Sequence, residues 1–175
     1  MSQRSGASRQ IAEFESGRSG TVDLADELAG GSAAGARSCQ LPLQSFGGRA
    51  RFHGRVRTVR CVDDHQLIKR MLAEPGDGQV LVVDGAGSLR TALLGDQMAA
   101  TAVSHGWSGL VIHGAVRDVD ALRTMDLGIR AVGACPLRSE NQAVGQLDVP
   151  VTFGGVTFEV GGHVWCDSDG VLLTS

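Results

Sequence analysis

Tyrosine is missing from this chain, and 5 phenylalanines and 2 tryptophans bring its aromatic content to only 4%. Beside them stand 25 glycines, a balance that points to tight turns and close backbone approaches, with no period of the kind a fibre or repeat array would show. Basic residues are too few and too scattered to build a phosphate-binding face: 16 Lys and Arg against 19 Asp and Glu give a net charge of -3. Direct nucleic-acid binding is disfavoured on that ground. The four cysteines, Cys39, Cys61, Cys135 and Cys166, include no CxxC pair and no histidine at zinc-finger spacing, which leaves buried thiols as the expectation. No stretch near residue 1 joins a basic region to an apolar run, and no apolar segment approaches the roughly 20 residues needed to span a bilayer. The expected location is the cytoplasm, with no membrane association.

What is present suffices for one domain. A chain of 175 residues with 42% hydrophobic side chains can bury one core and is short for two. Residues 1–20 are rich in Ser, Gly, Arg and Gln with few apolar anchors, so a mobile tail is expected there and the domain is expected over 21–175. Thr21 is placed to cap a short helix through Leu24, Ala25 and Leu28, followed by a small-residue loop from Gly30 to Gly35. Near-alternate apolar positions from Ala50 to Arg60 suit a half-buried strand, after which Asp63 or Asp64 caps a helix carrying Leu67, Ile68, Met71 and Leu72. Val80 to Val83 is a continuous apolar run, the mark of a strand buried on both faces, and it enters the glycine turn Asp84-Gly85-Ala86-Gly87. A helix through Met98 to Val103, a buried strand Gly109 to His113, a short helix near Leu122 and a strand Ile129 to Ala134 follow. Then come a hairpin, Val149 to Phe153 with Val156 to Val160, and strands Val164 to Cys166 and Val171 to Thr174 about the turn at Asp167 to Gly170. The fold class is α/β: a parallel centre flanked by antiparallel C-terminal strands.

Two loops fall beyond the carboxyl ends of buried strands, where α/β sheets bind ligands. The first, Asp84 to Met98, lacks the Walker lysine and the third Rossmann glycine, so a nucleotide site is not indicated and its glycines read first as a tight turn. It does run into a helix N-terminus, which favours an anion. The second, His113 to Asp120, holds the adjacent pair Arg117-Asp118. Alone, such a pair reads as a solvated ion pair; the functional reading is a guanidinium gripping a carboxylate while the aspartate holds a hard divalent ion. His113, a lone histidine at a strand end, reads first as structural.

The joint arrangement shifts that balance. Asp96, twenty intervening residues, then Arg117-Asp118 matches the D-x20-R-D motif of RraA-like class II aldolases. Around it Val82 to Leu89, Ala92 to Asp96, His113 to Asp120, Asp148 to Val151, Phe153 to Val156 and Asp167 to Gly170 continue the match in order. The chain from about Thr21 to Thr174 resembles the RraA-like family, the group that includes regulators of ribonuclease E activity and 4-hydroxy-4-methyl-2-oxoglutarate aldolases. Some members carry an older label as menaquinone-pathway methyltransferases, which no feature of this sequence supports.

The resemblance implies a compact single-domain swivelling β/β/α fold, α/β/α sandwich-like, assembled as a homotrimer or a dimer of trimers. It implies a divalent-metal-dependent lyase that releases pyruvate from 4-hydroxy-4-methyl-2-oxoglutarate and, through the same pyruvate enolate, decarboxylates oxaloacetate. By the same analogy Asp118 binds Mg2+ or Mn2+, and Arg117 with the amides of Gly95, Asp96, Gln97 and Met98 holds the 2-oxo acid end. Asp96 orients or deprotonates a metal-held water that takes the hydroxyl proton. Many members place an acid three positions after the metal aspartate; here that position is Ala121, and Asp120 beside it points elsewhere on a helix. The alternative the family offers is a non-catalytic regulator that inhibits a ribonuclease E-type partner by protein contact; a metabolite-binding module with a vestigial site is the third.

Overall fold

The computed structural model of the protein describes residues 2–29 and 35–175, and side chains from residue 6 onward. Of the segment expected as a loop from Gly30, residues 30–34 lie outside the described residues. In chain order the elements are α1 (Ser2–Glu15), α2 (Thr21–Ala29), β1 (Arg37–Ser38), β2 (Gln44–Ser45), β3 (Phe52–Arg60), α3 (Gln66–Leu72), β4 (Val80–Asp84) and β5 (Ala92–Leu94). Then follow α4 (Asp96–Ser104), β6 (Gly109–Val116), α5 (Val119–Leu122), β7 (Gly128–Ala134), β8 (Gln146–Leu147), β9 (Val151–Phe153), β10 (Val156–Phe158), β11 (His163–Asp167) and β12 (Gly170–Thr174).

One mixed sheet carries the molecule, in the order β1-β12-β11-β3-β4-β6-β7-β2, with β5 added against β6 and β8 against β3. Its centre, β3-β4-β6-β7, is parallel throughout, whereas β11 joins β3, and β12 joins β11, antiparallel. The apolar run of β4 is buried on both sides because successive side chains alternate between faces. Leu81 and Val83 enter a core shared with Ile68, Met71 and Leu72 of α3 and Ala99 and Ala102 of α4. Val80 and Val82 enter a second core with Val151, Phe153 and Phe158 of the β9-β10 hairpin. The hairpin pairs only with itself, as a separate two-stranded sheet lying over the face opposite the helices. This is a mixed α/β fold with few helices, as expected. Among the described residues no helix is long and apolar enough to cross a membrane.

Three local readings are corrected. Residues 1–20, expected as a mobile tail, contain α1, whose Phe14 is fully buried. Phe14 packs edge-on against Trp165 at 5.2 Å, and the Arg51 guanidinium lies 4.6 Å above its ring. An anchor that meets partners far away in sequence leaves no local pattern. Thr21 does not cap α2 with its own hydroxyl: Oγ1 donates to the buried carboxylate of Asp167 at 2.8 Å, and the Thr21 amide donates to the same carboxylate at 2.7 Å. The Asp23 carboxylate instead accepts from the Gly20 amide at 2.7 Å. Finally, β6 runs to Val116 and β5 forms within the first expected loop, so His113 lies inside a strand rather than at its end.

Candidate active site

Short β5 explains how two distant motifs meet. It pairs with the C-terminal part of β6, Ala92 opposite Ala115 and Leu94 opposite Val116, and the Arg117 amide continues the ladder to the Leu94 carbonyl at 2.9 Å. Gly95 and Arg117-Asp118 therefore leave the sheet side by side. The contact is close enough that a Cβ on Gly95 would fall 2.7 Å from Asp118 Oδ2 and 3.2 Å from Arg117 Nε. Glycine is required there by its neighbours, since its backbone, φ -132° and ψ -174°, is open to any residue.

Asp118 itself takes the left-handed conformation, φ 57° and ψ 39°, between β6 and α5. Aspartate is among the few residues that enter this region without severe strain. The bend turns its carboxylate toward the start of α4, where Oδ2 accepts from the Asp96 amide at 3.1 Å. Anionic oxygen at a helix N-terminus is favoured by the unpaired amides and by the helix dipole. Arg117 Nε stands 3.6 Å from the same Oδ2, yet the guanidinium makes no hydrogen bond to any described residue. With the two side chains 34% and 38% exposed, the pair itself contributes little to stability, on the order of 0 to 1 kcal/mol. Its donors face a cleft of about 120 Å3 whose walls include Leu94, Gly95, Asp96, Met98, Arg117 and Arg138.

The structure thus brings together Asp96, Arg117, Asp118 and the Gly95–Met98 backbone. It also assigns two of the expected amide donors to protein acceptors: the Asp96 amide to Asp118, and the Gln97 amide to Asp96 Oδ1 at 2.7 Å. Arg117 is left as the open donor for a ligand carboxylate. Gln97 is exposed at the rim and Met98 packs partly into the helix-side core. Ala121 lies in α5 with no acid in its place, and Asp120 turns to solvent beside Arg123 at 3.5 Å, away from Asp118.

The other residues singled out are structural. His113 Nδ1 meets Asp84 Oδ1 at 3.2 Å, and its ring stacks on Phe153 at 4.8 Å. The His113 carbonyl also receives the amides of Gly85 and Gly87, each at 3.0 Å. Next to this turn Asp63 accepts from Ser88 Oγ at 2.7 Å, from Thr91 Oγ1 at 3.0 Å and from Arg90. The Ser88 bond first, with Arg90 and Thr91, holds the Asp63 carboxyl below the usual carboxylate range. The glycine turn is filled and tied down by its own chain.

Two residues in the cleft wall escaped the sequence reading. Arg138 comes from the segment after β7, and His65 from the turn before α3; their rings and donors meet 73 residues apart in sequence, Arg138 Nη2 to His65 Nε2 at 3.4 Å. No spacing rule links them. His65 is 4% exposed, and burial first, then the Arg138 charge, lowers its pKa, so the ring is held neutral.

Comparison with known proteins shows the family and the fold. A family model described as RraA-like, Aldolase/RraA, matches residues 21–173. A curated relative from Pseudomonas syringae pv. tomato, named "Putative 4-hydroxy-4-methyl-2-oxoglutarate aldolase", is 54% identical over 132 residues, covering 75% of this chain and 82% of the relative. Among solved structures, the RNA-processing inhibitor RraA from Thermus thermophilis superposes with a TM-score of 0.84 at 45% identity, covering 89% of this chain and 92% of that one. A Geobacillus kaustophilus protein described as an S-adenosylmethionine:2-dimethylmenaquinone methyltransferase gives 0.85 at 40% identity, over 89% of this chain and 94% of that one.

Proposed function

The chain belongs to the RraA-like family, and from that premise we propose that it is a divalent-metal-dependent lyase releasing pyruvate from 4-hydroxy-4-methyl-2-oxoglutarate, with oxaloacetate decarboxylation as a second reaction. The observation that carries the reading is the meeting of Arg117 and Asp118 at Gly95, with the Asp96 amide bonded to Asp118, beside a cleft that Asp96 and Arg117 line. Arg117 binds the carboxylate end of a 2-oxo acid through its open donors, two parallel hydrogen bonds being the geometry a guanidinium offers. Asp96 keeps Oδ1 on the Gln97 amide and presents Oδ2 to a water that takes the substrate's hydroxyl proton. With that proton gone, the hydroxyl oxygen becomes the carbonyl of one pyruvate as the carbon-carbon bond breaks, the electron pair of the broken bond passes to the 2-oxo group as the enolate of a second pyruvate, and Arg117 offers positive charge where that enolate oxygen becomes negative. Protonation of the enolate carbon then gives pyruvate.

The donor set at this end suits a hard cation, Mg2+ or Mn2+. Among the described residues no three His, Cys, Asp or Glu side chains converge, so a cation caged wholly by protein does not fit. One open aspartate, Asp118, would hold an ion that keeps most of its waters, the habit of Mg2+. When bound, it would supply Lewis-acid polarisation of the 2-oxo acid.

Purified protein with Mg2+ is expected to release pyruvate from both substrates in a lactate-dehydrogenase-coupled assay, with EDTA and Arg117→Ala each abolishing release and Asp118→Ala reducing it at least 100-fold. No release above the EDTA control would overturn the lyase reading. Ala121, where many family members have an acid, favours one rival: a regulator that binds a ribonuclease E-type partner. Capture of such a ribonuclease by protein that releases no pyruvate is the result that would establish it.

A further inference from the structure

Glu15 closes α1, and its carboxylate meets His53 Nε2 on β3 at 3.2 Å. The other nitrogen of that ring, Nδ1, meets His163 Nε2 on β11 at 3.0 Å. Phe14 packs edge-on against His53 at 5.8 Å, and Trp165, opposite His53 in the β3-β11 register, stacks on it at 5.0 Å. The two histidines thus lie where the end of α1 meets the sheet. Imidazole nitrogens 3.0 Å apart are hydrogen-bonded only when one carries a proton and the other a lone pair. With Glu15 accepting from His53 Nε2, the pair can be neutral, His163 donating to His53 Nδ1. It can also hold one excess proton, the His53 imidazolium donating to His163. A second excess proton puts a hydrogen on both facing nitrogens and turns the contact into repulsion between two cations.

The surroundings do not relieve that repulsion. Among the described residues Glu15 is the one carboxylate in contact with either ring. His163 stands opposite Arg55 on β3 and the neutral Thr174 on β12, and the Arg51 guanidinium lies over Phe14. Glu27 of α2 is engaged with Arg9 and Gln10 of α1, at 3.7 and 3.2 Å. Burial first, then the charges of His53 and Arg55, pushes His163 down to about 4. The helix has few other holds on the domain. Phe14 and Ile11 join a small apolar layer over Trp165 and Leu172, and the Phe14 carbonyl accepts from Arg51 Nη1 at 3.2 Å. Because α1 adds no strand to the sheet and precedes residues 21–173, the span of the family domain, it can leave without opening that domain.

We propose that His53 and His163 form an acid-sensitive latch for α1: a second proton on the facing rings breaks their contact, and the helix undocks from Trp165 and Leu172 while the sheet stays folded. With His163 at about 4 when the helix is docked and near 6.5 when it is free, the opening constant should rise about tenfold between pH 7.5 and 5.5. Hydrogen exchange of the full chain, as protection factors corrected for the intrinsic rate at each pH, reads that constant in residues 6–15. Wild-type α1 should lose about tenfold in protection over this range, and should open far more readily than β4 and β6 at both pH values. His163→Gln cannot take the second proton and should hold the change within twofold, as should His163→Asn if the first variant folds poorly. His53→Gln, whose amide can accept from a protonated His163, should cut the change to threefold or less. Glu15→Gln should lower protection at both pH values and keep the tenfold ratio. The latch would be overturned by α1 protection that ignores pH, or by an opening constant for α1 equal to that of β4. It would equally be overturned by a full tenfold change surviving in the His163 or His53 variants, or by loss of the ratio in Glu15→Gln, which would place the titration on the carboxylate.

Discussion

Replacing Gly95 by alanine separates a glycine kept for its neighbours from one kept for its backbone angles. The added Cβ would lie 2.7 Å from Asp118 Oδ2, 3.2 Å from Arg117 Nε and 3.4 Å from Arg117 Cγ, and the first of these cannot persist. The backbone at Gly95 accepts alanine, so it is the Asp118 carboxylate, 38% exposed, that must swing away. It then gives up the Asp96 amide. A hydrogen bond to a charged group is worth about 1.5–3 kcal/mol, and each 1.4 kcal/mol of lost transition-state stabilisation is about tenfold in rate. The expected result is a fall in kcat/KM for pyruvate release of about ten- to one-hundredfold. Stability should change far less, because the displaced carboxylate regains water: about 1 kcal/mol, a Tm drop of about 2–4 °C for a chain of this size. The coupled pyruvate assay and a thermal melt of the same sample measure both. Wild-type kcat/KM in Gly95→Ala, or a collapse of the fold before any loss of activity, would refute the argument that this glycine serves the carboxylate.

Phe14→Ala should release α1 from the sheet, because the buried ring is its anchor on Trp165 and Arg51. The roughly 3–5 kcal/mol of a buried Phe truncation is a ceiling, and hydrogen exchange should accelerate in residues 6–15 while the central strands keep their protection; unchanged exchange in α1 would contradict the docking. His163 is pushed down to about 4 by burial first, then by the charges of His53 and Arg55. The unfolded chain therefore takes that proton first, near pH 6.5, and stability should decline as pH falls from about 7 toward 4, with His163→Gln flattening the decline in melts across that range. An identical slope in the variant would count against it. At Asp64 burial alone would raise the pKa, but backbone amides from Gln66, Gln142, Val144 and Ala143 outweigh it and the carboxyl is held low. Its contribution is present above the ordinary carboxylate range and lost as pH falls through the lower folded value. Asp64→Asn should be less stable at pH 7 and lose less between pH 4 and 2; equal acid sensitivity of the two proteins would refute that.

The central strands were legible because burial on both faces writes itself as an unbroken apolar run, as in Val80 to Val83. Ala92 to Leu94 escaped notice because three residues of a strand look like any short apolar stretch, and only its pairing with β6 makes it one. The same strand brings the two ends of the D-x20-R-D spacing together, so the motif could be recognised while the reason for its proximity could not. Residues 1–20 were misread because Phe14 and Ile11 find their apolar partners, Trp165 and Leu172, at the far end of the chain. Arg138 and His65 had no signal at all: a contact across 73 residues depends on how Glu140 bonds to Asp63 and His65, which is a property of the folded loop.

The pairing of β11 with β3, Cys166 opposite Phe52 and His163 opposite Arg55, also sets an order of events during synthesis. β3, β4, β6 and β7 can zip together as they leave the ribosome, each beside a strand already made. Along Phe52 to Arg55 the other edge of β3 has no partner until β11 has been made; only its far end, at Val59 and Arg60, is met earlier, by β8. A nascent chain paused before His163 therefore carries an unprotected apolar edge, the kind that pairs with a second copy. Formation of β11 does more than extend the sheet: it covers the stretch of β3 edge through which incomplete molecules would join.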